Sequence, residues 1–360
     1  MRIVKVPLGS RSYSIKIGSD LLAHLGQECA RLKLGGRCAV ISDPHVARHF
    51  GKSACHSLSK AGFNPVLVTL SAGEQAKSLR SVGTCFDQLA RHRLERKSFI
   101  VALGGGVVGD LAGFVAATYL RGLPFIQVPT TLLAQVDSSV GGKVGVNLRA
   151  GKNLVGAFHQ PRLVLCDLAT LSTLPDREFR SGLAEVIKYG IIYDVGLFER
   201  LERELSGVMK RDPALLSAII ARCCEIKAHI VQEDETETGL RSILNFGHTI
   251  GHGLEAISHY GQYLHGEAIA IGQVLAARLS QETLGLSSTE VKRICRLIER
   301  AGLPTEVRLD RRRREKLMGA MRLDKKVTAG EIKFVLALRI GKVQFGQQVP
   351  NSLLEKVLAS

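Results

Sequence analysis

The sequence predicts an α/β protein, with a parallel sheet in its N-terminal part and a mainly α-helical C-terminal part. In the first half, short β-branched runs alternate with helix-like stretches, which is the pattern of βαβ units. From about residue 173 onward, apolar residues recur at helical spacing instead. With 360 residues and 45% hydrophobic content, the chain is long enough for two domains. We place these domains at residues 1–174 and 175–360.

The predicted elements follow in order along the chain. Residues 1–6 alternate like a strand and lack the apolar core of a signal peptide, so we expect a cytoplasmic protein. Parallel strands are predicted at residues 38–43, 65–70, 98–103 and 125–129. Long helices are predicted at residues 214–233, 267–284 and 288–301. No run of eighteen apolar residues occurs, so no membrane partner is expected.

Charge and cysteine content narrow the class of protein. The chain has 49 Lys and Arg against 33 Asp and Glu, and its net charge of +16 would attract polyanions. The absence of Trp and an aromatic content of only 5% argue against nucleic acid as the partner. The run 311–314 is interpreted as a solvated basic face. The eight cysteines show no CxxC spacing, which favours buried reduced thiols.

Two histidines at helical spacing are the most informative feature. His248 and His252 lie four residues apart and would share one face of a helix, although such a pair alone is a weak signal. Further candidate ligands stand nearby, with His265 and Glu267 after the pair and Glu185 before it. Two imidazoles and one carboxylate with an open fourth position form a known catalytic zinc arrangement.

A glycine-rich segment follows the predicted strand at 98–103. Residues 104–110 read GGGVVGD and lead into the apolar stretch 111–117, so strand, turn and helix follow one another. A dinucleotide pyrophosphate can meet backbone N–H groups at such a helix N-terminus. The Asp after the last glycine, and the lack of an acid about twenty residues later, favour a nicotinamide enzyme outside the ordinary Rossmann subtype. The alternative is that the glycines serve only a tight turn.

Several cations occur where an anion could bind. Lys143 and Lys152 are predicted in loops rich in glycine and hydroxyl residues, where an ammonium can neutralise a phosphate. A solvated loop is the alternative, and Arg121 is another candidate anion contact. Lys188 follows Glu185 by three residues, so both would point the same way on a helix.

The remaining cations of the second half are Lys227, Arg241, Lys325 and Lys326. Taken singly, each is typical of a surface charge. Arg241 is different, because it precedes Asn245 by four residues and His248 by seven. On one continuous helix Arg241 would share the ligand face.

Six segments resemble the 3-dehydroquinate synthase family in order and spacing. They are GGGVVGDLAGFVAATYLRG (104–122), VPTTLLAQVDSSVGGKVGVN (128–147), GKNLVGAFHQP (151–161), GLAEVIKYG (182–190), LNFGHTIGH (244–252) and HGEAIAIG (265–272). The resemblance covers roughly residues 38–341. Ala72 departs from a frequent Asp and Ile250 from a frequent Phe, and neither change removes a proposed ligand.

The resemblance implies a Rossmann-like NAD domain, a helical metal-binding domain and an active site in the cleft between them, in a homodimer. The metal, Zn²⁺ or Co²⁺, would be held by Glu185, His248 and His265, and His252 would contact substrate instead of metal. NAD would be held by Asp43, Ala72, Gly73, Glu74, Gln75, Ala76, Lys77, Gly106, Val107, Val108, Gly109, Asp110, Thr130, Thr131, Lys143, Lys152, Thr170, Leu171, Ser172 and Thr173.

The resemblance also implies a phosphorylated sugar acid as substrate. Its contacts would be Arg121 (in this family a contact that can come from the neighbouring subunit), Lys143, Asn153, Lys188, Lys227, Arg241, Asn245, His252 and one of Lys325 or Lys326. The implied reaction converts 3-deoxy-D-arabino-heptulosonate 7-phosphate to 3-dehydroquinate and phosphate. It proceeds by transient oxidation with NAD, phosphate elimination, reduction, ring opening and aldol closure.

Two alternatives share the glycine turn and the metal residues. One is another sugar phosphate cyclase, such as a 2-deoxy-scyllo-inosose synthase, and the other is a metal-dependent polyol dehydrogenase. A dehydrogenase has no need for so many anion-directed cations, and Arg241 with Lys227 favours a substrate that carries a carboxylate. A nucleic-acid-binding module would explain neither the glycine motifs nor the three ligands.

Overall fold

The computed structural model describes residues 1–258, 262–323 and 332–359, and the chain divides into two compact units. Unit one comprises residues 1–175 together with 213–232, and unit two comprises 176–212 together with 233–360. The division after Pro175 lies beside the predicted boundary. The segment 213–232, however, packs with unit one, so the second unit is not one continuous stretch of chain.

Unit one is built on nine strands and the helices between them. The strands are β1 (Arg2–Val6), β2 (Tyr13–Gly18), β3 (Arg37–Ser42), β4 (Asn64–Thr69), β5 (Phe99–Gly104), β6 (Phe125–Pro129), β7 (Lys143–Leu148), β8 (Gly151–Phe158) and β9 (Leu163–Asp167). The helices are α1 (Leu25–Arg31), the single turn α2 (Pro44–Val46), α3 (Lys52–Lys60), α4 (Leu79–Arg91) and α5 (Gly106–Thr118), with α8 (Pro213–Glu233) added from later in the chain.

Seven of these strands form one sheet in the order β1-β2-β9-β6-β5-β3-β4. All neighbours pair in parallel except β1 with β2, which is antiparallel. The chain runs from β3 outward to β4 and then returns to the other side of β3 as β5. This reversal is a topological switch point, and ligands of open α/β sheets bind at the carboxyl ends of the strands there. The predicted parallel sheet is confirmed.

The sheet is covered on both faces, as strands of a parallel sheet require. On β5, Ile100 and Ala102 belong to one core cluster, whereas Phe99, Val101 and Leu103 belong to another. This alternation reflects the period of two in a strand. It explains why the strand segments are nearly continuous apolar runs rather than alternating ones.

Unit two is mainly helical. Its helices are α6 (Asp176–Ile192), α7 (Val195–Met209), α9 (His248–Ile257), α10 (His265–Leu284), α11 (Ser288–Arg300), α12 (Arg311–Leu323) and α13 (Asn351–Ala359). An antiparallel pair, β10 (Lys333–Arg339) and β11 (Lys342–Gln348), lies beside them. The predicted helices at 214–233, 267–284 and 288–301 correspond to α8, α10 and α11. The arginine run at 311–314 forms the first turn of α12.

The structure bears on two further expectations, the state of the cysteines and the presence of membrane-spanning helices. All eight cysteines are free thiols, and six of them are buried. Burial raises the pKa of Cys29 and Cys85 to about 12, which makes these thiols unreactive. Among the described residues, no helix is both long enough and apolar enough to cross a bilayer.

Candidate functional site

Three side chains from three helices of unit two converge on one point. Glu185 lies on α6, and His248 and His265 are the first residues of α9 and α10. The Nε2 atoms of His248 and His265 lie 3.6 and 3.7 Å from Oε1 of Glu185. Two donors bound to one zinc ion in tetrahedral geometry are about 3.4 Å apart. The three residues are therefore spaced as ligands of one small cation.

The hydrogen bonds around the two imidazoles orient them for this role. Nδ1 of His248 lies 3.2 Å from the carbonyl oxygen of Phe246, and Nδ1 of His265 lies 3.2 Å from Oε2 of Glu255. Carbonyl and carboxylate oxygens only accept, so each Nδ1 carries a proton, and in the neutral imidazole Nε2 is then the nitrogen with the free lone pair. No described group donates a hydrogen bond to the buried Oε1. Two imidazole nitrogens beside a buried carboxylate oxygen that accepts no hydrogen bond from a described group fit a bound cation.

Glycines allow the three helices to approach closely. A Cβ on Gly266 would lie 1.9 Å from the carbonyl oxygen of Ser181, one turn before Glu185 on α6. A Cβ on Gly272 would lie 2.1 Å from the carbonyl oxygen of Gly247, which precedes α9. Side chains at these positions would force the helices apart. Gly266 and Gly272, both in the segment 265–272, thus let the candidate ligands come together.

A second group of donors overlaps the first. His252, Glu255 and His265 also offer one ligand atom each within 4.8 Å of one another. The ring of His252 is 5.2 Å from that of His248 and 6.0 Å from that of His265, measured between centroids. Glu255 was not among the sequence-predicted residues. Its signal is its position seven residues after His248, which is two helical turns along the same face.

Glu267, a candidate ligand from the sequence, is occupied elsewhere. Its two carboxylate oxygens accept hydrogen bonds of 2.7 and 2.8 Å from the guanidinium of Arg177. One of them also accepts the backbone N–H of Leu264 and caps α10. The expectation that Glu267 is a ligand is wrong, because this bidentate ion pair turns its side chain to the start of its own helix.

Lys188 lies against the candidate metal ligands. Its side chain is 1% exposed, and its ammonium contacts Oε2 of Glu185. The same ammonium is 5.5 Å from the ring centroid of Tyr189. The predicted shared direction of Lys188 and Glu185 on one helix face is therefore present. A buried cation beside a buried carboxylate is positioned to contact an anion bound there.

Arg241 and Asn245 occupy a bent segment before α9. A 3-10 helix spans Leu240–Asn245, and Gly247 then adopts a φ of 78°. A side chain at Gly247 would be strained, and its Cβ would meet the backbone nitrogen of Gln273 at 2.7 Å. No continuous helix joins Arg241 to His248, so the helical spacing that placed Arg241 on the ligand face does not apply.

The segment around Arg241 is held by one carboxylate. The oxygens of Asp234 accept the backbone N–H groups of Thr238, Gly239 and Arg241 at 2.8–3.0 Å. Burial by itself raises the pKa of Asp234, but these N–H groups outweigh it and hold the pKa below its ordinary value. The Arg241 side chain is 1% exposed and donates to the carbonyl oxygen of Glu235. Asn245 donates to Glu237 at 3.1 Å.

In unit one, the residues predicted for NAD follow the carboxyl ends of five parallel strands. Asp43 follows β3, the segment 72–77 follows β4, and Gly106 to Asp110 follow β5. Thr130 and Thr131 follow β6, and 170–173 form part of a 3-10 helix after β9. The strand ends are level, because Ser42 pairs with both Leu103 and Thr69, and Gly104 pairs with Pro129. The sheet therefore brings these segments to one edge.

The glycine turn at this edge serves close packing as well as ligand access. Among its residues Gly105 is extended, with a φ of −74°, and a Cβ there would lie 3.0 Å from Cγ2 of Thr131. A Cβ on Gly109 would lie 2.8 Å from Oε1 of Gln127 on β6. The buried hydroxyl of Thr130 has no hydrogen-bond partner among the described residues. An unsatisfied hydroxyl beside a glycine-lined turn fits a polar ligand such as a dinucleotide.

Other predicted cofactor residues are bonded within the protein. Oδ1 of Asp43 caps α2 by accepting the N–H groups of His45 and Val46. Thr170 is 1% exposed, and its hydroxyl donates to the carbonyl oxygen of Asp167 at 2.6 Å. The hydroxyls of Ser172 and Thr173 also bond to carbonyl oxygens of this turn.

Lys77 connects the glycine helix to the hairpin β7–β8. Its ammonium donates to Oδ2 of Asp110 at 2.7 Å and to Oδ1 of Asn153 at 2.6 Å. Burial raises the pKa of the Asp110 carboxyl, and the Lys77 ammonium opposes this rise. Asn153 has a φ of 53°, so it adopts the left-handed conformation. The network places a predicted cofactor residue beside a predicted substrate residue.

Two of the remaining predicted cations lie in a different kind of element from the one expected. Lys143 and Lys152 lie on the paired strands β7 and β8, so the prediction that they sit in loops is wrong. Lys152 lies 3.9 Å from Glu74. Arg121 is exposed just after α5, with a φ of 68°. Lys325 and Lys326 lie outside the described residues.

Lys227 on α8 forms an ion pair that the sequence did not predict. Its ammonium is 2.7 Å from Oδ1 of Asp137 and donates to the carbonyl oxygen of Asp137 at 2.8 Å. Asp137 precedes Lys227 by ninety residues, so no local pattern pairs them. This contact, with the hydrogen bond from Cys224 to the carbonyl oxygen of Gln135, shows why α8 belongs to unit one.

Comparison with known proteins gives a consistent result. The family model described as the N-terminal part of 3-dehydroquinate synthase matches residues 67–181, and the model of the C-terminal part matches residues 182–327. The 3-dehydroquinate synthase of Desulforamulus reducens is 47% identical over 359 residues, covering 100% of both chains.

Two similar solved structures contain NAD⁺ and a metal ion. A 2-deoxy-scyllo-inosose synthase complexed with carbaglucose-6-phosphate, NAD⁺ and Co²⁺ has a TM-score of 0.91 and 27% identity, covering 99% of each chain. The 2-epi-5-epi-valiolone synthase of Streptomyces hygroscopicus, with NAD⁺ and Zn²⁺ bound, has a TM-score of 0.89 and 28% identity, covering 99% of this chain and 98% of that one.

Proposed function

The chain belongs to the 3-dehydroquinate synthase family, and from this membership we propose that Glu185, His248 and His265 hold the divalent cation of the family's reaction. The reaction converts 3-deoxy-D-arabino-heptulosonate 7-phosphate to 3-dehydroquinate and phosphate, and it needs NAD and Zn²⁺ or Co²⁺. The observation that carries the proposal is the pair of imidazole Nε2 atoms 3.6 and 3.7 Å from one buried carboxylate oxygen.

The two cofactors supply the redox and Lewis-acid chemistry of the reaction, so the protein must hold both of them at the substrate. Bound NAD accepts and returns a hydride, and a bound divalent cation acidifies a substrate hydroxyl and polarises the ketone formed from it. The NAD contacts proposed at the carboxyl ends of β3, β4, β5, β6 and β9 are supported by the level strand ends and by the orphaned hydroxyl of Thr130.

The residues beside the cation site bind and orient the substrate. Lys188 contacts Glu185, and its buried ammonium can hold negative charge on a departing phosphate. The ring centroid of His252 lies 5.2 Å from that of His248 and 6.0 Å from that of His265, where His252 can hold or donate a proton at a substrate oxygen. From the segment before α9, as the family membership implies, Arg241 and Asn245 would supply a guanidinium and an amide for the substrate carboxylate and hydroxyls.

Four cationic side chains and one amide would bind the phosphate and carboxylate groups of the substrate. We assign this role to Arg121, Lys143, Asn153 and Lys227, and to one of Lys325 or Lys326. The Asp137 carboxylate beside Lys227 positions that ammonium before substrate arrives. A hexose phosphate without a carboxylate needs fewer cations, which is why the heptulosonate is the substrate we favour over that of another cyclase.

We also propose a homodimer that acts in the cytoplasm without nucleic acid or membrane. Support for the dimer comes from β8, where Val155 and Ala157 pack against the core of unit one. Leu154 and Phe158 therefore face the other way, and they are 41% and 46% exposed. Size-exclusion chromatography with light scattering tests this, since Phe158→Glu should then give monomers.

The experiment that tests the function is phosphate release from the heptulosonate phosphate, with NAD and Zn²⁺ present and chelator-treated protein as control. We expect release that needs both cofactors and leaves no net NADH, because the hydride returns within one turnover. A hexose 6-phosphate serves as the comparison substrate. Release from the hexose phosphate alone would assign the protein to another cyclase reaction.

A further inference from the structure

Glu255 is a buried acid that neither the sequence motifs nor the proposed ligand set explains. It lies on α9 and is 5% exposed, and its Oε2 is 3.2 Å from Nδ1 of His265. A carboxylate is costly to bury unless hydrogen bonds or a cation compensate. One compensating contact is the hydrogen bond with the ring of His265, the side chain whose other nitrogen lies near Glu185.

The position of Glu255 links two of the candidate ligands. His248 and Glu255 are seven residues apart on α9, so they lie on one helix face two turns apart. His265 begins the next helix and is the most exposed of the three candidate ligands, with a side-chain exposure of 34% against 10% for His248 and 1% for Glu185. An exposed imidazole needs a partner that fixes its ring. His248 has a carbonyl oxygen for this purpose, and His265 has Glu255.

We propose that Glu255 is a positioning residue for the cation site. Its carboxylate holds the proton of His265 on Nδ1, turns Nε2 toward Glu185 and makes that nitrogen a stronger ligand. This inference rests on the proposed function, because it needs Glu185, His248 and His265 to bind one cation.

The alternative is a second cation held by His252, Glu255 and His265, whose donor atoms also lie within 4.8 Å of one another. That arrangement would use Nδ1 of His265 as a ligand and would remove the proton that orients the ring. It would also give two cations one shared imidazole. The observed hydrogen-bond distance of 3.2 Å favours the positioning role.

The test is metal affinity, measured without turnover. The unaltered protein and the variants Glu255→Ala and Glu255→Gln are stripped with chelator. Zn²⁺ is then titrated against a chromophoric competitor, and Co²⁺ absorption reports the ligand geometry. Glu185→Gln serves as the control for the site itself. Glu282→Gln is the matched control, since Glu282 is on the same helix as His265 but is 46% exposed and pairs with Lys356.

We expect Glu255→Ala to weaken Zn²⁺ binding by about 10–100-fold while the stoichiometry stays at one. Glu255→Gln should recover part of the loss, because an amide oxygen still accepts the Nδ1 proton. If the alanine variant does not fold, Glu255→Gln still tests the role of the carboxylate. Thermal unfolding of the metal-free proteins separates affinity from stability, and Glu282→Gln should match the unaltered protein.

Three results would overturn the inference, and they are distinguishable. Unchanged Zn²⁺ affinity in a folded Glu255→Gln and Glu255→Ala would remove the positioning role while leaving the cation site in place. Two ions per chain, one of them lost in Glu255→Ala, would establish the second cation instead. Unaltered binding in Glu185→Gln would show that the proposed cation site itself is wrong.

Discussion

The two candidate sites are built in opposite ways. In unit one, the predicted NAD residues follow five parallel strands, and the sheet brings them to one edge because parallel strands end together. In unit two, the candidate metal ligands are single side chains on three helices, and more than sixty residues separate Glu185 from His248. The candidate NAD site is made of loops, so its formation depends on the order of the strands in the sheet. The candidate metal site is made of side chains, so its geometry depends on how closely the helices pack.

This difference predicts that unit two is the less tolerant of substitution. Removing one cation ligand should abolish the chemistry, whereas removing one NAD contact should only weaken binding. Five tests examine this contrast, and the largest effect is expected for the ligands on the helices.

The strongest test is Glu185→Gln, together with His265→Ala. Each removes a charge or a nitrogen from the cation, so we expect metal content to fall to background and turnover to fall by about 10³-fold or more. Metal analysis and phosphate release measure this, with NAD binding as the control. One metal ion per chain with near-normal turnover would contradict the ligand assignment.

Lys188→Ala should have the next largest effect. The ammonium contacts Glu185 and is buried beside it, so its removal takes away charge stabilisation for the leaving phosphate. We expect kcat to fall by about 10²-fold while the NAD affinity stays unchanged. Isothermal titration of NAD and single-turnover phosphate release separate the two. Lost NAD binding with normal metal content would exclude this role.

Gly266→Ala tests the helix packing itself. The new Cβ would lie 1.9 Å from the carbonyl oxygen of Ser181, so α10 must move away from α6. We expect a loss of about 1–3 kcal/mol in unfolding free energy, and weaker Zn²⁺ binding with it. The matched control is Gly319→Ala on α12, where a Cβ meets nothing within 4 Å and should be neutral or stabilising. Equal unfolding free energies and equal Zn²⁺ affinities in the two variants would show that close packing does not set the ligand geometry.

Thr130→Val tests the edge of the sheet in unit one. The hydroxyl is buried without a partner among the described residues, so the metal- and cofactor-free protein should lose no stability. NAD affinity should fall by about 10-fold, which is the loss expected for one hydrogen bond, and the metal content should not change. Thr118→Val is the control, since its hydroxyl bonds to the carbonyl oxygen of Phe114. Unchanged NAD affinity in Thr130→Val would exclude this hydroxyl as a contact.

Asp234→Asn should have the smallest effect and a distinctive pH dependence. The pKa of Asp234 is lower in the folded protein than in the unfolded chain, so the carboxylate stabilises the fold above its unfolded pKa. That contribution disappears as the pH falls through the lowered folded pKa. Urea unfolding should show a loss of about 1–2 kcal/mol at pH 7, and this difference should shrink as the pH falls below the ordinary pKa of an aspartate. If the difference in unfolding free energy does not depend on pH, the loss comes from altered packing at residue 234 and not from the charge of the carboxylate.

Much of the fold followed from the sequence, because strands and helices have local periods. The parallel strands, the glycine turn after β5 and the long helices α8, α10 and α11 were all predicted. Contacts between distant segments were not. Asp137 with Lys227, and Glu267 with Arg177, are ion pairs across many residues, and no local pattern reveals them.

By itself, the sequence determined the α/β class, the candidate ligands and the family to which they belong, since motif spacing and residue chemistry are local properties. Tertiary structure decided which candidates meet. It placed His265 against Glu185, turned Glu267 away toward Arg177 and broke the helix before His248 at Gly247. It also supplied Glu255, because only packing of α9 against α10 brings that carboxylate to the ring of His265.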